Sequence, residues 1–122
     1  MNYILKEDGF FVHTIATGRY TSREVNEALA LLAEDPALKP DHVTLFDTSR
    51  AEAESLDDAD FTEVFKLILR HPEKLISKKV AILIKDRRFL KNAQHYQQLA
   101  KEIGQEVEIF QSLVTATNWL MK

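Results

Sequence analysis

Lys79-Val80-Ala81-Ile82-Leu83-Ile84 runs through the turn Lys85-Asp86-Arg87-Arg88 into an apolar stripe at helical spacing, Phe89, Ala93, Tyr96, Leu99, Ala100 and Ile103. Val80 to Ile84 is the longest apolar run in the chain and shows no alternation, so it reads as a central parallel strand covered on both faces. The stripe predicts a helix from Phe89 to Ile103, which Gly104 ends. Gln105 to Phe110 then reads as a strand in which Glu106 and Glu108 alternate with Val107 and Ile109, the pattern of a partly wet edge. Ser112 is placed to cap a last helix carrying Leu113, Ala116, Trp119 and Leu120. A strand, a helix and a second strand in close succession make a crossover unit, which sets the class as α/β.

Upstream, Tyr3 to Lys6 and Phe10 to Thr17 read as two strands joined by the turn Glu7-Asp8-Gly9, an antiparallel hairpin that Gly18 ends. Thr21 or Ser22 begins a helix, with Glu24 spaced for a capping box and Val25, Ala28, Leu29 and Leu32 as its buried stripe. Pro36 and Pro40 stop that helix. Val43 to Thr48 is a strand without clean alternation. The polar stretch Ser49 to Ser55 leads to a helix from about Asp57 to Arg70, with Phe61, Val64, Phe65, Ile68 and Leu69 on its apolar face. Asp57, Asp58 and Asp60 suit the positive end of its dipole, and Pro72 terminates it. The predicted architecture is a mixed five-stranded sheet with an N-terminal β-hairpin and four helices, in the order ββαβαβαβα.

The chain has 122 residues, the size of one domain, and no repeat or linker divides it, so residues 1–122 are expected to form a single unit. Apolar residues are 45% and charged residues 29%, an ordinary globular balance. With no cysteine, a disulfide scaffold, a thiolate nucleophile and Cys-based metal sites are excluded. Met1 to Asp8 lacks the basic and apolar regions of a signal peptide, and no run approaches the ~20 apolar residues of a membrane span; a cytoplasmic location is expected. Residues 1–61 carry 5 Lys/Arg and 13 Asp/Glu, a charge of −8, whereas residues 62–122 carry 11 and 6, a charge of +5. Such an asymmetry either marks a nucleic-acid or membrane surface or, as expected for halves that share one core, lets the two complement each other across it.

Several strings resemble the SpoIIAA-like family of the STAS-like superfamily. Lys79 to Ile84 is similar to its penultimate strand, and Gln97-Gln98-Leu99-Ala100-Lys101-Glu102-Ile103-Gly104-Gln105-Glu106-Val107 to its third helix running into the last strand. Phe110-Gln111-Ser112-Leu113 with Ala116 and Trp119-Leu120 resembles its closing signature, a packing motif without chemistry. The resemblance implies a regulatory module. Its better-known relatives, the anti-sigma factor antagonists, bind a kinase partner and are switched by phosphorylation of a serine in an Asp-Ser-Ser-Gly turn before the second helix. Here the region reads Ala53-Glu54-Ser55-Leu56-Asp57-Asp58; Ser55 is in approximate register, without the glycine or the tandem serines. Other relatives share a fold with lipid-binding proteins, which by analogy implies an amphiphile as ligand.

Motifs for chemistry are sparse. His13, His42, His71 and His95 have no metal-ligand spacing, and neither a phosphate-binding glycine loop nor a nucleophile elbow is present, so no metal and no cofactor are expected. Asp47 and Asp86 end two strands, where open α/β sheets bind ligands. They either cap the following turns or form a carboxylate pair. Lys85, Arg87, Arg88 and Lys91 crowd a helix start and oppose its dipole, which points to an anion held there; the alternative is a solvated turn with Asp86 as N-cap. An acidic isoelectric point of about 5.8 and the lack of stacking aromatics argue against nucleic acid.

The expected function is a noncatalytic binding or regulatory module recognising a protein partner or a small anionic or amphiphilic ligand. The candidate binding residues are Asp47, Ser49, Arg50, Ser55, Lys85, Asp86, Arg87, Arg88 and Lys91. The alternatives are a small enzyme built on Asp47 and Asp86, and a homodimer joined through an edge strand or an apolar helix face.

Overall fold

The computed structural model describes all residues, 1–122. Five strands form one sheet in the order β1 (Asn2–Lys6), β2 (Phe11–Thr21), β3 (Val43–Ser55), β4 (Lys79–Leu83) and β5 (Glu106–Phe110). β1 and β2 are antiparallel, and every other neighbouring pair is parallel. The strands thus follow one another across the sheet in sequence order. Right-handed crossovers that always step the same way put every crossover helix on the same face. α1 (Ser22–Glu34), α2 (Asp58–Arg70) and α4 (Leu90–Glu102) accordingly share a core with Val12, Val80, Ile82 and Val107. α5 (Leu113–Leu120) follows the last strand, crosses nothing, and is free to cover the opposite face. Its Ala116 and Leu120 pack on Val43, Leu45, Ala81 and Leu83, while Trp119 meets Phe110 in a tilted contact at 5.5 Å and takes Lys79 Nζ over its ring at 5.0 Å.

The expected mixed sheet, the opening hairpin, the central strand and the edge strand are present: β4 is buried with parallel partners on each side, and β5 is an edge with Glu106 and Glu108 exposed. Three local expectations are corrected. First, there are five helices, because Pro72, which ends α2, also starts the one-turn α3 (Pro72–Leu75). A fixed φ and a missing N–H suit the first helical position as well as they block an interior one. Second, β2 does not stop at Gly18, and Ser49–Ser55 is not a loop. The two strands run on together to Thr21 and Ser55, beyond the end of β4, through two register shifts at which β3 carries an extra residue. Third, α1 has no side-chain cap. Ser22 Oγ instead donates to Asp60 Oδ1 of α2 at 2.8 Å and ties the starts of the two helices together. The caps at Asp57, in a capping box with Asp60, and at Ser112 are as expected.

Candidate functional site

A cavity of about 110 Å³ lies between the sheet and α1, α2 and α4. Its walls are apolar: Leu29 and Leu32 from α1, Val64 and Ile68 from α2, Ala93 from α4, and Ile82 and Ile84 from β4 and its continuation. These are the same stripes that fold the domain, so the void is a place where the core does not close. Apart from Thr14 in mid-strand, its polar lining gathers toward opposite ends of the strands.

At the carboxyl ends, the β2–β3 extension carries Tyr20 opposite Glu54. The Tyr20 hydroxyl donates to Glu54 Oε2, and Asn92 Nδ2 of α4 donates to Glu54 Oε1 at 3.0 Å. Glu54 forms no ion pair. Burial pushes its carboxyl above the usual range, against the two hydrogen bonds that favour the charged form. Burial, and then the nearby carboxylate, push the Tyr20 phenol up in turn.

At the amino ends, His42, Ser77, Thr44 and Gln105 line the cavity. His42 Nδ1 lies 2.9 Å from the Lys39 carbonyl, and Nε2 lies 3.0 Å from Ser77 Oγ. Burial lowers the pKa of His42 although the carbonyl favours the imidazolium, so the neutral ring carries its proton on Nδ1 and accepts at Nε2. Ser77 Oγ in turn lies 2.6 Å from Thr44 Oγ1. Gln105 is 4% exposed; its Nε2 reaches the Ser77 carbonyl at 3.5 Å, and its Oε1 is buried without a partner.

The residues singled out in the sequence lie elsewhere and are divided between two places. Asp47 faces the α5 side of the sheet, where Oδ2 meets His13 Nε2 at 3.0 Å and Oδ1 accepts from the Ser49 amide at 2.9 Å and from its hydroxyl at 2.6 Å. Burial raises Asp47, but Ser49 and His13 outweigh it and hold the carboxyl below the usual range. Asp86 caps a single 3₁₀ turn, Arg87–Phe89, and accepts from the Arg88 amide and guanidinium; Arg88 Nη2 also donates to the Glu52 carbonyl at 3.0 Å. The cost of a basic helix start is thus offset by Asp86, and the Arg88 guanidinium is engaged within the chain. Lys85, Arg87 and Lys91 are exposed around this turn. Arg50 and Ser55 are exposed on the β3 extension, where Ser55 pairs with Thr21 just before the α2 cap. Asp47 and Asp86 share no hydrogen-bond partner.

The cavity residues escaped a motif search because none belongs to a motif. One trace of them is present: Thr44, Phe46, Thr48 and Glu54 share a parity along β3, and all four line the void. Small polar residues on the inward face of a central strand leave room and carry hydrogen-bonding groups inward.

No protein-family model matches the chain, and no curated protein matches it. Among solved structures, an uncharacterized protein of the DUF3478 family with a SpoIIAA-like fold, from Shewanella loihica PV-4, is similar over 98% of this chain and 90% of its own, at 23% identity and a TM-score of 0.64. The anti-sigma factor antagonist SpoIIAA in its unphosphorylated form is similar over 88% of this chain and 87% of its own, at 11% identity and a TM-score of 0.48. With its opening hairpin, its crossover helices on one face and its closing helix on the other, this chain has a SpoIIAA-like fold.

Proposed function

We propose that the chain is a noncatalytic binding module that holds a small amphiphilic molecule in the cavity between the sheet and α1, α2 and α4. The observation that carries this reading is the cavity itself, apolar along its walls and polar at its two ends. An empty apolar void is destabilising: at ~24 cal/mol per Å³, 110 Å³ costs about 2–3 kcal/mol. That is a large fraction of the ~5–15 kcal/mol that holds a domain together. A ligand present at about a hundred times its Kd would restore a similar amount. The Glu54 end, a carboxyl with neutral partners, disfavours an anionic head group there.

Thermal unfolding with and without short-chain amphiphiles tests the reading, with Ala93→Leu as the variant that fills the void. Ala93 lines the cavity and is 6% exposed. Amphiphiles should raise the Tm of the parent chain. The variant should keep or raise its own Tm and lose the response to ligand. A parent chain whose Tm no amphiphile moves would sink the proposal.

A further inference from the structure

The amino-end polar cluster has a definite hydrogen-bonding balance. The neutral His42 ring uses its one proton on the Lys39 carbonyl and leaves Nε2 as an acceptor. Ser77 Oγ must therefore donate to His42, and Thr44 Oγ1 must donate to Ser77. Every hydroxyl proton of the cluster is committed. Two acceptors of lining residues are left over: a lone pair on Thr44 Oγ1 and the whole of Gln105 Oε1, which is buried and unpaired. Turning the Gln105 amide over would only set its oxygen against the Ser77 carbonyl, which its Nε2 now faces at 3.5 Å. A buried amide oxygen without a donor costs about 1–3 kcal/mol, and Gln105 lines the cavity with 96% of its surface covered.

We propose that the ligand of this cavity is a neutral molecule ending in a hydroxyl, and that this hydroxyl donates to Gln105 Oε1 at the amino ends of β3, β4 and β5; the inference rests on the cavity being a ligand site at all. A carboxylate has no proton to give Gln105 Oε1, and the ammonium of Lys74, the charged lysine among the lining residues, already donates to the Asp35 carbonyl at 2.7 Å. An ether fills the same volume but leaves the amide oxygen unpaired. The body of the ligand is linear: Thr44, Phe46 and Thr48, which all line the cavity, span about 13 Å along one face of β3 at a rise of ~3.3 Å per residue. Spread over that length, 110 Å³ suits an alkyl chain rather than a ring system.

Three probes of matched size decide it: n-hexanol, its isomer methyl pentyl ether, and hexanoate. Each is titrated into the nitrogen-15-labelled full chain and followed by amide NMR, including the side-chain NH₂ of Gln105. The alcohol should bind about ten-fold more tightly than the ether, as one added buried hydrogen bond implies. It should shift the Gln105 side-chain resonances, and hexanoate should bind most weakly. In Gln105→Leu the preference for alcohol over ether should fall to about one while ether binding survives. Equal affinity for alcohol and ether in the parent chain would mean that a trapped water already serves Oε1, and would overturn the proposal. So would tightest binding of hexanoate. If none of the three binds, the cavity reading itself fails and this inference falls with it. Should Gln105→Leu not fold, the affinity ratio in the parent chain still decides, with Gln105→Met as the substitute.

Discussion

Tyr20 and Glu54 stand opposite each other in the parallel register of β2 and β3, and the tyrosine hydroxyl donates to the glutamate across the pair. Tyr20 is 1% exposed, so this hydrogen bond lies inside the protein, at one polar end of the cavity. Tyr20→Phe keeps the ring and its tilted contact with Phe46, at 6.2 Å, but strips Glu54 Oε2 of its donor. A loss of about 1–2 kcal/mol at neutral pH is expected from urea unfolding. No loss would mean that Oε2 finds another donor at once.

Glu54 makes the same end of the cavity sensitive to pH. Burial raises its folded pKa above the ordinary 4.5, so folding favours the protonated form. Its contribution to stability is fully present below pH 4.5 and is lost as the pH climbs through the raised folded value. Glu54→Gln removes that titration and keeps an oxygen for one of the two donors. The variant should gain stability relative to the parent chain as the pH rises from about 4 to 8, read as a growing difference in Tm. A difference that stays flat over this range would contradict the raised pKa.

Asp47 behaves in the opposite sense. Held below the ordinary 3.8 by Ser49 and His13, its carboxylate contributes stability that is present above that pH and disappears as the pH falls through the depressed folded value. Asp47→Asn leaves one oxygen for what were three donated contacts and should lose about 1–3 kcal/mol at neutral pH. The gap between variant and parent should narrow in acid, below pH 3.8. A gap of constant size down to pH 3 would show that shape, not charge, is what Asp47 supplies.

The difference between these two carboxylates also marks how far a sequence can be read. Strands and helices that bury apolar stripes declare themselves by period, which is why Val80 to Ile84, the stripe of α2 and the closing Trp119-Leu120 all lead to the right architecture. The β2–β3 extension does not declare itself. Ser49 to Ser55 is polar, and its strand character comes from pairing with Thr17 to Thr21 rather than from burying one face. Two extra residues in β3 break the alternation there as well. Glu54 is therefore indistinguishable in sequence from a loop glutamate. Asp47 was legible as the end of a strand, but the face it points to depends on parity set by neighbours in space. The cavity has no sequence signature because it is a shortfall of side-chain volume summed over four elements.

Gly9 and Gly18 separate two reasons for a glycine. Both have positive φ, 92° and 60°. A Cβ on Gly18 would meet nothing within 4 Å, so Gly18→Ala should cost roughly 1 kcal/mol, the left-handed penalty alone. A Cβ on Gly9 would fall 1.9 Å from the Ala37 carbonyl oxygen, in the segment whose Lys39 amide donates to the Gly9 carbonyl at 3.0 Å. Gly9→Ala must therefore push the Pro36–Pro40 connection off the hairpin turn, which adds a steric cost and the loss of that hydrogen bond to the backbone strain. A loss of at least ~3 kcal/mol is expected. Chemical denaturation of the two variants side by side gives the comparison, and equal losses would show that the connection yields freely to the added methyl group.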